Sequence, residues 1–84
     1  MTEFQTNTEK LRAQLESGDI AKICEKADCT QSTLFNAWKR SDATEFTPKE
    51  RAAYETFVSF VEKKIAAKQK LNQRVADVAA NLPK

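Results

Sequence analysis

The sequence predicts an all-α protein: a compact bundle of four to five helices with a long carboxy-terminal helical segment. Three observations carry this. One Gly and two Pro in 84 residues are too few for the many tight turns of a sandwich or barrel. Ala, Glu, Lys, Gln and Leu, which lose little side-chain freedom in a helix, are plentiful. Apolar residues recur at spacings of three and four behind residues suited to helix capping.

Taken in order, Thr6 and Glu9 ahead of Leu11 and Leu15 read as a capping box, which places a first helix over Asn7 to Ser17 with Gly18 ending it in a left-handed conformation. Asp19 is positioned to cap a second, short helix by accepting from the free amides of its next turn. Ile20, Ile23, Cys24 and Ala27 then fall on one stripe, and the helix ends near Ala27. Thr30 caps a third helix over Gln31 to Lys39, with Leu34, Ala37 and Trp38 on its inward face. After a polar connector from Ser41 to Phe46, Thr47-Pro48-Lys49-Glu50 combines a hydroxyl cap, Pro at the first helical position and a Glu completing the box, so a fourth helix starts at Pro48.

No Gly or Pro interrupts the chain from Pro48 to Leu82. A straight helix of that length would run to about 50 Å, long for so small a bundle. Tyr54, Phe57 and Val61, then Leu71, Val75, Val78 and Leu82, lie on one heptad seam with Lys64 and Lys68 in its middle. Two outcomes are open: a bend near Ala66 to Lys70 that folds the last stretch back, or pairing of two protomers through the apolar end. Residues 1–62 are expected to form the domain proper and 63–84 a basic, amphipathic extension.

Composition excludes several functions. A chain with no His and two Cys cannot by itself assemble a Ser/His/Asp triad, a His-based metal centre or a four-ligand zinc site. An enzyme is not expected, nor a metal, cofactor or small-molecule ligand. Cys24 and Cys29 are read as small hydrophobes in a reducing cytoplasm. No run approaches the ~20 apolar residues of a membrane span, and Met1-Thr2-Glu3-Phe4 lacks the features of a secretory leader. A cytoplasmic location follows as an expectation.

The stretch with functional content is Ile20 to Lys39. Two short helices joined by a tight turn, the second opening on small polar residues and closing on bases, form the geometry that lets a helix enter the major groove of DNA. Ile23 and Ala27 can pack against Leu34 and Ala37, a small Cys24 lets the helices approach, Cys29 plugs the turn, and Asp28 tolerates the positive φ such a turn requires. The segment resembles the helix-turn-helix of phage-repressor-like (Cro type) and Lac-repressor-type DNA-binding domains. Gln31-Ser32-Thr33-Leu34-Phe35-Asn36-Ala37-Trp38 is similar to their recognition helix. Asp28 stands where those families commonly have Gly, Cys24 where they have Ala, and Ile20 where a phosphate-contacting Gln is frequent.

The resemblance implies base-edge contacts from Gln31, Ser32, Thr33 and Asn36, and phosphate contacts from Thr30, Lys39 and Arg40. Gln and Asn pair bidentately with adenine and Thr offers a methyl to thymine, which favours sites containing A·T steps. Double-stranded DNA is thus the expected partner, with a homodimer formed through the carboxy-terminal segment spanning half-sites about 34 Å apart. Lys63, Lys64, Lys68, Lys70 and Arg74 form a run free of acids that can attract phosphate, although a net charge of +2 is modest for such a binder. The same apolar spacings suit any helical hairpin. The competing reading is a protein-interaction or assembly module, such as a phage accessory protein, that uses the helix pair only as scaffold. Trp38, Phe57 and Phe60 are assigned to the core rather than to base stacking.

Overall fold

The computed structural model describes residues 1–83. Its order is α1 (Glu3–Arg12), α2 (Asp19–Ala27), α3 (Gln31–Lys39), a single 3-10 turn (Ala43–Glu45) and α4 (Pro48–Ala80). The protein is all-α, with no strand among the described residues.

The first helix begins four residues earlier than the Thr6–Glu9 spacing suggests, because a second box with the same spacing lies upstream. Thr2 Oγ1 accepts from the Gln5 amide at 3.1 Å and Gln5 Oε1 accepts from the Thr2 amide at 3.0 Å. Thr6 sits one turn inside, its hydroxyl donating to the Thr2 carbonyl. Tertiary contacts decide between the two boxes. Thr2 Oγ1 donates to the Ser41 carbonyl at 2.9 Å. Phe4 stacks on Tyr54 with ring centroids 5.3 Å apart, and the buried Thr8 hydroxyl lies 2.6 Å from that of Tyr54. A helix starting at Asn7 would forgo the Phe4 contact, whose aromatic geometry adds about 0.5–1.5 kcal/mol beyond area burial.

Gly18 does adopt a left-handed φ of 89°, but as the residue preceding α2 rather than as the stop of α1, which ends at Arg12. Asp19 likewise acts differently from expectation. Its carboxylate accepts backwards from the Glu16 amide at 2.8 Å and from the Lys64 ammonium, not from the next turn of α2. Lys64 also reaches Glu16 at 3.3 Å. The loop between α1 and α2 is thereby tied to α4.

α4 starts as the sequence predicts. Thr47 Oγ1 accepts from the Glu50 amide at 3.2 Å, Glu50 Oε1 accepts from the Thr47 amide at 3.1 Å, and Pro48 occupies the first turn, where its missing N–H costs nothing. It then runs for 33 residues without a break, so of the two outcomes left open the bend near Ala66 to Lys70, and with it the fold-back, does not occur. That stretch is Ala-Ala-Lys-Gln-Lys, all good helix formers with no Gly or Pro to release a hydrogen bond. The rod gives the molecule its 57 × 27 × 19 Å shape. Burial against it extends through Lys64, and every described residue beyond that point is exposed.

The core lies where α4 passes under α2 and α3. Ile23, Leu34, Ala37, Ala53, Phe57 and Val61 are fully buried. Trp38 meets Phe57 edge to face at 5.1 Å, and Phe57 meets Tyr54 at 5.5 Å, so a line of aromatic rings links α3 to α1 through α4. The Arg12 guanidinium covers the Trp38 ring at 4.3 Å. Trp38 is a core residue as expected, with its indole N–H left without a partner among the described residues.

Three carboxylates are held below their ordinary range, Asp42 by the hydrogen bond it accepts from the Thr44 amide and Asp19 and Glu50 by partners from other elements. The Lys64 hydrogen bond chiefly lowers Asp19, and the Arg40 hydrogen bond chiefly lowers Glu50. Because the native values lie below the unfolded ones, the stability they supply is complete above the ordinary carboxylate pKa and is lost as pH falls through the depressed values. The melting temperature is therefore expected to drop on acidification below about pH 4.5, and Glu50→Gln or Asp19→Asn should lower it at neutral pH while flattening that acid slope. Circular-dichroism melts across this range check the outcome.

Candidate nucleic-acid interface

The link between α2 and α3 is set by local backbone chemistry. Asp28 adopts φ 53°, ψ 52°, and the Cys29 amide reaches back to the Cys24 carbonyl at 3.0 Å. This is a Schellman-type stop, in which a left-handed residue lets the chain reverse while satisfying the last carbonyls of α2. Gly is usual there. Asp is one of the few other residues that tolerate the conformation.

Thr30 then opens α3 in extended conformation. Its Oγ1 accepts from the Thr33 amide at 3.2 Å and lies 3.1 Å from the Thr33 hydroxyl. The first turn of α3 contains no acidic residue, whereas α1, α2 and α4 carry Glu3, Asp19 and Glu50 in theirs. The partial positive charge of its free amides consequently has no carboxylate from its own first turn against it.

The inward stripe Leu34, Ala37, Trp38 is buried, which turns the opposite face of α3 outward. Ser32 and Asn36 are exposed on that face, Gln31 is exposed on the first turn ahead of the packed stretch, Thr33 is half-buried at the edge, and Thr30 and Lys39 are exposed at the two ends. No described part of α4 covers them.

Arg40 behaves differently from the rest of this set. Its Nε donates to Glu50 Oε1 at 3.0 Å and its Nη2 to Oε2 at 2.9 Å, a two-pronged ion pair joining the end of α3 to the start of α4. The pair holds Glu50 below its ordinary value and raises Arg40 above its own. Charge at Arg40 is thus spent within the fold, and a phosphate would have to compete with Glu50 for it.

Phe35 is the residue that sequence reasoning passed over. It is 37% exposed, and its ring leans on Trp38 at 5.4 Å. The signal was present: Phe35 is three residues from Ser32 and four from Lys39, hence on the same outward stripe.

No family model, curated protein or solved structure matches this chain.

The described residues hold no group of three His, Cys, Asp or Glu side chains able to bind a metal ion. Cys24 and Cys29 are free thiols, and burial pushes the Cys24 thiol upward, away from the reactive thiolate. None of the described helices is long and apolar enough to cross a membrane.

The geometry separates residues that build α3 from residues that face out of it. Thr30→Ala removes the cap and is expected to cost about 1 kcal/mol of folding free energy. Gln31→Ala and Asn36→Ala, which break no hydrogen bond within the fold, should stay within about 0.5 kcal/mol of the parent. Urea unfolding of the three variants measures both.

Proposed function

We propose that this chain is a small sequence-specific DNA-binding protein, a transcriptional regulator of bacterial or phage origin acting in the cytoplasm, that reads the major groove with α3. The observation that carries the reading is the uncovered polar face on the first two turns of a helix held rigidly by a tight turn and a buried inward stripe. A helix so placed can enter a groove about 12 Å wide with its amino end foremost.

Roles follow from side-chain chemistry. Gln31 and Asn36 each present an amide able to donate to N7-side acceptors and accept from the exocyclic amine of adenine, and Ser32 can bond to either purine or pyrimidine edges. The Phe35 ring and the Thr33 methyl suit the thymine methyl group, so A·T steps are favoured on both strands. Thr30 and the free amides of the first turn suit a phosphate oxygen, and Lys39 a second phosphate beyond the helix end. Arg40, paired with Glu50, contributes to the local positive potential while anchoring α3 to α4.

Selection from random duplex DNA at about 0.15 M salt, a condition under which phosphate contacts alone are weak, is expected to enrich an A·T-containing motif. On that site Asn36→Ala or Gln31→Ala should cost about 1–3 kcal/mol and relax preference at one position. Lys39→Ala should instead weaken all sequences alike and reduce the salt slope by about one. Equal loss on every sequence from Asn36→Ala contradicts base reading, and no enrichment at all leaves the helix pair a scaffold for protein docking.

A further inference from the structure

The part of α4 beyond Lys64 carries the largest unexplained feature of the molecule. Leu71, Val75, Val78 and Leu82 are 58%, 58%, 59% and 64% exposed and line one shallow apolar groove with Ala79 and the stem of Arg74. Single exposed apolar residues are ordinary, but three on one face of a rigid helix, continued by Leu82 two residues past its end, form a surface that water solvates poorly.

Its spacing is symmetric. Leu71, Val75, Val78 and Leu82 are separated by four, three and four residues, so the stripe reads the same in either direction: Leu, Val, Val, Leu. A two-fold axis across the rod midway between Val75 and Val78 would set each Leu71 opposite the partner's Leu82 and each Val75 opposite the partner's Val78. Such a self-complementary match is what a two-fold interface between identical chains requires.

Shape and charge select this direction over the parallel one. The free stripe continues the heptad seam of Tyr54, Phe57 and Val61, and on those turns the seam side of α4 is already occupied by the bundle. Two parallel rods with facing seams would drive their bundles into each other. They would also bring Lys68 against its own copy and demand that Lys64, engaged with Asp19 and Glu16, enter the seam. Antiparallel rods send the bundles to opposite ends and leave both lysines outside the four matched layers. The flanking side chains next to the stripe are Asn72, Arg74, Ala79 and Asn81, which place no like charges against each other in that register.

We propose that two copies of this chain associate through an antiparallel pairing of their α4 extensions, Leu71 against the partner's Leu82 and Val75 against the partner's Val78. Four layers make an interface smaller than the ~1,200 Å² of a standard one, so the pair is expected to exchange with monomer as concentration falls. Because α3 packs on α4 near Phe57, the two α3 helices would stand about 60 Å apart along the rods at ~1.5 Å per residue. That separation is nearer to two turns of duplex than to one, unlike the half-site spacing expected of a compact dimer. The pairing is independent of the DNA reading and is measured without nucleic acid.

Sedimentation velocity of the full chain over a range of concentrations is expected to show the mass rising to twice the monomer. Val75→Glu with Val78→Glu, at exposed positions remote from the core, should remain monomeric with an unchanged melt of the bundle. Direction is read by mixing Leu71→Cys and Leu82→Cys chains under mild oxidation and identifying linked peptides by mass spectrometry, which also distinguishes any product of the native cysteines. A 71–82 linkage supports the register. A monomeric parent, a dimer that survives the double Glu substitution, a 71–71 linkage, or no linkage between the two Cys chains overturns the proposal.

Discussion

Burial of one face of α4 beneath α2 and α3 is the constraint on which the rest of the structure depends. Phe57 and Val61 are completely enclosed there, and Phe57 abuts Trp38 from α3. Once Leu34, Ala37 and Trp38 must point at that face, the 3.6-residue period of α3 turns Ser32, Phe35, Asn36 and Lys39 away from it, while Gln31 is exposed because it lies on the first turn, ahead of the packed stretch. The outward face is a by-product of core packing: Ser32, Asn36 and Lys39 stay exposed on it, while Phe35 leans back on Trp38.

Two polar clamps fix α4 relative to the helix pair. At its start Glu50 receives the Arg40 guanidinium from the end of α3, and fourteen residues later Lys64 reaches Asp19 and Glu16 at the start of α2. Between them the apolar contact needs no polar support. Their chemistry has a cost for any electrostatic partner, since Arg40 and Lys64 are engaged within the fold and the mobile positive charge available to phosphate is reduced to residues such as Lys39, Lys68, Lys70 and Arg74.

Where structure is set by neighbouring residues, the sequence was legible. The limits of α2 and α3 and the start of α4 follow from Asp28, Thr30 and the Thr47-Pro48-Glu50 box, each of which satisfies backbone groups within a few residues of itself. The first helix was misplaced because Thr2–Gln5 and Thr6–Glu9 offer the same local signal, and only distant contacts from Thr2 to Ser41 and from Phe4 to Tyr54 choose between them. Asp19 was misread for a similar reason: its partner Lys64 is 45 residues away. The alternatives of a bent and a continuous α4 stayed open because its length alone exceeds what the bundle can cover, yet good helix formers continue a rod past the edge of its core. At the candidate site, Ser32 and Asn36 follow from periodicity and Gln31 from its place on the first turn, whereas the engagement of Arg40 by Glu50 does not, and Phe35 carries no role in the sequence reading although its position beside Ser32 and Lys39 is legible.

The account stands or falls on the outward face of α3 being the surface that meets DNA. Amide chemical-shift mapping of the full chain during titration with a duplex carrying the enriched motif tests this most directly. The account predicts that the largest changes fall on Thr30 to Asn36 and Lys39, with those in α1 small. Changes confined to the α4 extension, or none at concentrations that saturate the duplex, would contradict it.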